Sequence, residues 1–405
     1  MQEHYRFAGF MGRRVHLGVC GSIAAYKMLD FMRLLLGADC MVSATLTDAA
    51  TRFVTPLSFE ALGANPVYGS MFNAKASDPF GHLEPGEIAD AMVIAPATAS
   101  TMARLANGLA DDMLSCQALA FDGPVIVAPA MNPRMWKAPA TQRNWAAIKE
   151  LGFIPVEPDS GLVACGETGT GRFAEYIELL PVVLKAISPQ DMAGKKVMVT
   201  LGPTREPWDA VRFWSNPSSG TMGACMAVAA WLRGADVTVV SGPVSLDFHS
   251  GIKQARVQTA QQMFDAATDL WPDMDLACCT AAVADYRPVP HGADKFKKSG
   301  ADSGLTVEFN NNPDILRTLG ERKAEAQRLM GFAAETSSCR EEAERKLAAK
   351  NLDLIACNRI DHEGSGFAVT TNEMFVLDAH GRREQWPNLK KTEVAWRLWD
   401  HLLLS

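Results

Sequence analysis

Residues 13–27, RRVHLGVCGSIAAYK, run from an apolar strand through a glycine turn into a helix. The run 13–20 reads as a strand, Gly18 and Gly21 lead to Ser22, and a helical pattern follows over 23–36. Similar strands are expected at 40–47, 91–97 and 124–130, with a further helix at 138–150. Strands that are apolar almost throughout and alternate with helices imply a parallel sheet covered on both faces. Near 188 the pattern restarts. SPQDMAGKKVMVTLGP (188–203) is a polar lead-in to a new first strand at 195–201. Further strands are expected at 235–241, 274–280, 329–333, 353–357 and 373–378. The chain is therefore expected to form two doubly wound, Rossmann-like α/β domains, 1–189 and 190–405.

The bulk numbers agree with two globular cores. The chain has 405 residues, 48% of them hydrophobic and 21% charged. A net charge of −7, from 39 basic and 46 acidic residues, argues against general nucleic-acid binding, which needs excess Lys and Arg. The nine cysteines show neither CxxC pairs nor Cys/His metal spacing, as expected of free thiols in a reducing cytoplasm. MQEHYRFAGFMGRR (1–14) lacks the apolar core of a signal peptide, and no apolar run is long enough to span a bilayer. A cytoplasmic location is expected.

Polar groups collect at the strand ends of the first half. Backbone amides at a helix start favour an anion, so Ser22 either caps its helix or binds a phosphate. APATAS (95–100) offers a second such turn, with Thr98 and Ser100 as polar handles. His82, in the turn-like FGHLEPGE, is either a surface imidazole or one that titrates near neutrality at a site. Asn132, in VIVAPAMNPRMW (125–136), stands between two methionines where an amide can hold a substrate carboxylate; its alternative role is to turn the chain before Pro133. Cys165 lies in SGLVACGETGTGRF (160–173), a glycine-rich loop from which a thiol can act as an acid, unlike Cys116 or Cys225 in their apolar runs.

GSIAAYK, GHLE, APATA, NGLADD, PAMNPRMW and ACGETGTGR together resemble the homo-oligomeric flavin-containing cysteine decarboxylases, and most closely the phosphopantothenoylcysteine decarboxylases. The resemblance implies FMN held by Gly21, Ser22, Thr45, Thr98 and Ser115, with the phosphate at the Gly21–Ser22 turn. It implies that His82 takes part in oxidising the substrate thiol to a thioaldehyde, which lets CO2 leave as an enethiolate forms. Asn132 would hold the substrate carboxylate and Cys165 would supply a proton. Such relatives form trimers with sites at subunit interfaces, so His82 and Asn132 are expected to act from different chains.

In the second half, the polar loop Ser215–Gly223 opens into an apolar helix, and Ser218, Ser219 and Gly220 offer hydroxyls and amides suited either to a cap or to phosphate. DKFKK (294–298) sets three lysines around Phe296, and AERKLAAKN (343–351) puts Lys346 and Lys350 on one helix face. That like-charged pair costs roughly 0.2–0.5 kcal/mol without a counter-charge, which Glu342 is expected to supply in part. Two lysine groups in an acidic chain suit a polyphosphate.

GPTREP, SNPSSGTMG, VSGPVSL, AAVADYRP, KFKK, NPDIL, GFAAET and KNLDLIACN resemble, in order, the bacterial CTP-dependent phosphopantothenate–cysteine ligases. The resemblance implies activation of 4′-phosphopantothenate by CTP and Mg2+ as an acyl-cytidylate, with release of pyrophosphate. Cysteine's amine would then displace CMP. Asn216 would handle the acyl-cytidylate and Lys295 support its formation. CTP contacts would come from Cys279, Thr280, Ala281, Asp285, Lys295, Pro313, Asp314, Ile315, Leu316, Phe332, Lys346 and Lys350; no metal ligand is assigned. Thr221 stands where relatives commonly have Lys, and Leu201 where Ala is frequent. The two halves in this order are similar to the bifunctional bacterial proteins of coenzyme A biosynthesis, expected as a homo-oligomer built from trimers and dimers, up to a dodecamer. The alternatives are a flavin-binding regulatory subunit, against which Cys165 and the second half argue, and a nicotinamide dehydrogenase, for which neither half has GxGxxG.

Overall fold

The computed structural model describes residues 2–72, 80–297, 304–335, 339–359 and 369–404. The chain divides into two compact units: 8–188, and 189–405 together with Gln2–Phe7. Among the described residues no helix is long and apolar enough to cross a membrane.

The first unit is built on β1 (Arg14–Val19), β2 (Met41–Leu46), β3 (Val67–Tyr68), β4 (Ala91–Ala97), β5 (Val125–Pro129) and β6 (Ile154–Pro155). They form one parallel sheet in the order β3-β2-β1-β4-β5-β6. This is the doubly wound order, with its reversal between β1 and β4. All seven residues of β4 and all five of β5 are buried, as strands covered on both faces require. The core on one side of them joins Met92, Ile94 and Val127 to Trp136, Trp145 and Ile148. Outside the sheet, β7 (Asp159–Leu162) and β8 (Thr168–Arg172) make an antiparallel ribbon.

The second unit begins with β9 (Lys196–Leu201), followed by the ribbon of β10 (Arg205–Pro207) and β11 (Phe213–Ser215). Next come β12 (Asp236–Ser241), β13 (Lys253–Arg256), β14 (Leu276–Cys279), and a second ribbon of β15 (Tyr286–Pro288) and β16 (Phe309–Asn311). The chain ends with β17 (Arg328–Glu335), β18 (Leu354–Arg359), β19 (Thr371–Asp378) and β20 (Arg383–Lys390). The main sheet runs β13-β12-β9-β14-β17-β18-β19-β20. It is parallel as far as β18, and β19 and β20 are then added antiparallel. The short Ala379–Arg382 connection between them leaves no room for a crossover, so β20 turns directly back. The buried helix Thr221–Leu232 covers β9; Gly223 lets it sit close, because a Cβ there would collide with Thr280 and Leu201.

Candidate active sites

In the first unit a cavity of about 820 Å³ opens at the carboxyl ends of β1 and β4. This is the reversal point of the strand order, where open α/β sheets take their ligands. Gly21, Ser22 and Thr98 line it, with Ser100, Asp112 and Met131. Gly21 is required here because any Cβ would collide with Ala49. Ser22 and Thr98 are helix caps, accepting from Ala24 N and Thr101 N at 3.3 Å each. The cap reading of Ser22 is therefore correct, and both Ser22 and Thr98 also line the cavity.

Thr45 and Ser115 are not among the lining residues. Ser115 closes a capping box, accepting from Asp112 N through Oγ at 3.1 Å while its own N donates to Asp112 Oδ1 at 2.8 Å. Thr45 belongs to a buried relay. His16, fully buried, contacts Ser43 Oγ at 2.9 Å through Nδ1 and Thr45 Oγ1 at 3.0 Å through Nε2. Thr45 donates to Gln117 Oε1 at 2.6 Å, and Gln117 Nε2 donates to the Gly81 carbonyl at 2.8 Å. Because Thr45 gives its proton away, Nε2 of His16 must carry the ring proton and Nδ1 must accept from Ser43. Burial drives the His16 pKa down to about 3. The relay ends on the peptide before His82, which is half-buried in the turn preceding the helix Glu84–Ile88.

Asn132 and Cys165 come together. Asn132 caps the helix Pro133–Lys137, accepting from Arg134 N at 2.8 Å, and its Nδ2 donates to Cys165 Sγ at 3.2 Å and Glu167 Oε2 at 3.0 Å. Glu167 was not anticipated from sequence. Its carboxylate also takes the Arg134 guanidinium, and the Asn132 amide and Arg134 together hold its pKa below the usual range. The β7–β8 ribbon carries this loop across the end of β5, with Met131 N donating to Gly171 O at 2.9 Å. His82 belongs neither to this cluster nor to the cavity lining.

In the second unit a cavity of about 650 Å³ gathers nearly every residue expected to meet the nucleotide. Cys279 and Thr280–Ala281 line it from the end of β14, with Asp285 in the loop beyond. Pro313 and Asp314 through Leu316 enter at a helix start, Phe332 from β17, and Lys346 and Lys350 from the helix Cys339–Ala349 and its end. Asn216 faces the same space, its Nδ2 donating to the Ala282 and Val283 carbonyls at 3.2 Å each. The lysines are ion-paired: Lys346 with Glu335 at 2.6 Å and Lys350 with Asp314 at 2.9 Å. Glu342, 3.9 Å from Lys346, is bound mainly by Arg345 at 2.7 Å, so Glu335 is the principal counter-charge.

Lys295 is exposed and not among the cavity's lining residues. Its neighbour Phe296 is the anchor expected, its ring 5.2 Å from Trp208 and its N donating to Asp209 Oδ2 at 3.0 Å. Burial alone would raise the Asp209 carboxyl. The N–H groups of Val211, Arg212 and Phe296, with the Arg212 guanidinium, instead hold it at about 2. Lys298 and Thr336 lie outside the described residues. Among those described, no group of acidic, Cys or His side chains could hold a metal ion.

Residues 10–188 match the family described as Flavoprotein, and residues 192–404 match the DNA/pantothenate metabolism flavoprotein C-terminal domain. The coenzyme A biosynthesis bifunctional protein CoaBC of Bacillus subtilis (strain 168) is 40% identical over 390 residues, 95% of each chain. The chain belongs to the CoaBC family. The Escherichia coli (strain K12) CoaBC is likewise 40% identical, over 90% of this chain and 91% of its own. Among solved structures, the C-terminal domain of a CoaBC is 36% identical and covers 53% of this chain and 98% of its own, with a TM-score of 0.45. A mutant PPC decarboxylase complexed with pantothenoylaminoethenethiol is 33% identical over 42% of this chain and 96% of its own, with a TM-score of 0.38. Both CoaBC relatives thus align with this chain across the two units and both candidate sites.

Proposed function

We propose that this chain performs two consecutive steps of coenzyme A biosynthesis: CTP-dependent ligation of cysteine to 4′-phosphopantothenate in the second unit, then decarboxylation of the product in the first. The chain is an enzyme of the CoaBC family, and both halves of that family are present. The observation that carries the decarboxylase reading is the Asn132–Cys165 contact at 3.2 Å: an uncharged carboxylate binder beside a thiol acid.

FMN, when bound, would accept two electrons from the substrate thiol and return them to the decarboxylated product, so the overall reaction is redox-neutral. The lining of the first cavity supports this: Ser22 and Thr98 offer hydroxyls at helix starts suited to a phosphate, and Leu46, Leu114 and Met131 give apolar walls. Asn132 turns its Nδ2 from Cys165 and Glu167 to the substrate carboxylate, holding it without adding a charge that would oppose its departure as CO2. Cys165 then hands its proton to the carbanionic product. His82 takes part in the thiol oxidation, arriving from a neighbouring copy of the chain.

In the second unit, CTP lies along Asp314–Leu316 with its phosphates drawing Lys346 and Lys350 from their acidic partners, and Mg2+ accompanies the phosphates. Asn216 orients the acyl group, and Lys295 closes over it from the segment anchored by Asp209 and Phe296. The test is to incubate the protein with 4′-phosphopantothenate, cysteine, CTP and Mg2+ and to measure CO2 and pyrophosphate together. Near-equal amounts are expected. Pyrophosphate without CO2 would overturn the decarboxylase reading, and neither product would overturn the ligase reading.

A further inference from the structure

The second unit's cavity has a corner that the residues assigned to the nucleotide leave unused. Asn372, near the start of β19, and Lys391, the first residue of the helix Lys391–Leu403, both line it. Asn372 pairs in register with Leu389, two residues before Lys391, so the sheet edge brings them together. Asn372 is only 2% exposed and Lys391 5%. The Asn372 amide donates to Met222 Sδ at 3.5 Å, while its carbonyl oxygen has no partner among the described residues. A buried acceptor left unmet is unfavourable, and one on a residue that lines a cavity suits a ligand that donates. Beside it stands a buried ammonium whose pKa burial lowers.

We propose that this corner binds the amino-acid co-substrate, with its carboxylate on Lys391 and its amine donating to the Asn372 carbonyl. The assignment rests on reading the second unit as the ligase. The chemistry selects the ligand. A phosphate chain carries acceptors only and cannot satisfy the Asn372 oxygen, whereas a free amino acid carries an N–H donor and a carboxylate on one carbon. The cation also matters for reactivity. To attack an activated carboxyl carbon the amine must be neutral, and a neighbouring Lys391 charge disfavours its protonation. The attack forms the C–N bond, the C–O bond to the nucleotide phosphate breaks with its electron pair leaving on CMP, and the amine releases one proton.

Full-length Lys391→Met and Asn372→Leu keep the side-chain volumes and remove, respectively, the charge and the acceptor. Each is expected to raise the KM for cysteine at least tenfold while the KM for CTP stays within twofold. The burst of pyrophosphate from CTP and 4′-phosphopantothenate without cysteine reports activation separately, so a wild-type protein lacking that burst would sink the ligase reading itself. With the wild-type burst in place, an unchanged cysteine KM in both variants overturns the proposal. A parallel rise in the CTP KM also overturns it and gives the corner to the cytosine base. Calorimetric CTP binding to each variant distinguishes a lost corner from a lost fold.

Discussion

Cys165 is the exposed thiol among nine free cysteines, and chemistry should single it out. Burial pushes Cys20 up to about 11, and Cys40, Cys225 and Cys279 to about 12, which disfavours their thiolates at neutral pH. Iodoacetamide at pH 8 is expected to label Cys165 first by peptide mass mapping and to stop CO2 release while pyrophosphate release continues. Equal labelling of Cys116 would contradict this. Cys165→Ser should retain the flavin's visible absorption and lose about 10²-fold or more in decarboxylation, the usual scale of a lost general acid. Such residues were legible because they sit in short local patterns such as PAMN and ACGETG. Asn372 and Lys391 were not legible, since neither lies in a run with any chemical signature, and only the pairing of β19 with β20 joins them. Thr45 and Ser115 show the opposite limit. Their positions were apparent, but that their hydroxyls serve a buried relay and a capping box is a property of packing.

At the scale of elements, the β7–β8 ribbon is held against the end of β5 by glycine geometry. Gly171 has φ +142°, and a Cβ there would collide with the Met131 carbonyl. Gly171→Ala should cost about 1–3 kcal/mol through strain and separate Cys165 from Asn132. A lower melting temperature together with lost CO2 release, and pyrophosphate release intact, would bear this out. The His16 relay ties β1, β2, the helix Met113–Leu119 and the turn at Gly81 into one piece. Folded His16 stays neutral down to about pH 3, while the unfolded residue binds a proton below about 6.5. Acid therefore favours unfolding, by about 1.4 kcal/mol for each pH unit across that window. His16→Gln should flatten this part of the stability-against-pH curve relative to the parent, as read by urea titrations from pH 4 to 7. Sequence periodicity found the central strands because their apolar runs are buried on both faces. It missed β13 and β20 because edge strands such as KQAR and REQWPNLK face solvent and carry polar residues.

At the scale of the whole molecule, the chain path crosses between the units twice, after Phe7 and after Ser188. The break at 188/189 falls in the polar lead-in that the sequence marks, whereas nothing in the opening residues signals that Gln2–Phe7 pack with a partner far along the chain. They do so closely: His4 Nε2 lies 2.9 Å from the Asp247 carbonyl, His249 N donates to the Tyr5 hydroxyl at 2.5 Å, and Tyr5 and Phe7 are each 2% exposed. Tyr5→Ala in the full chain should cost about 3 kcal/mol, as other large buried aromatics do. The loss should appear in the calorimetric transition of the second unit, with that of the first unchanged; the reverse pattern would refute the assignment.

These contacts bridge about 245 positions of sequence, which sets a timetable for the protein's birth. Residues Gln2–Phe7 leave the ribosome before anything they will touch has been made. The first unit is complete, and free to fold, while Tyr5 and Phe7 still trail bare aromatic rings into the cell. Their berth is complete only when the chain has been translated past Trp396, whose ring stands 6.1 Å from that of Phe7. Residues made some 245 positions ahead of their first partners are thus among the latest to be placed, and a chaperone that shields Tyr5 and Phe7 during synthesis would be guarding the fold's closing step.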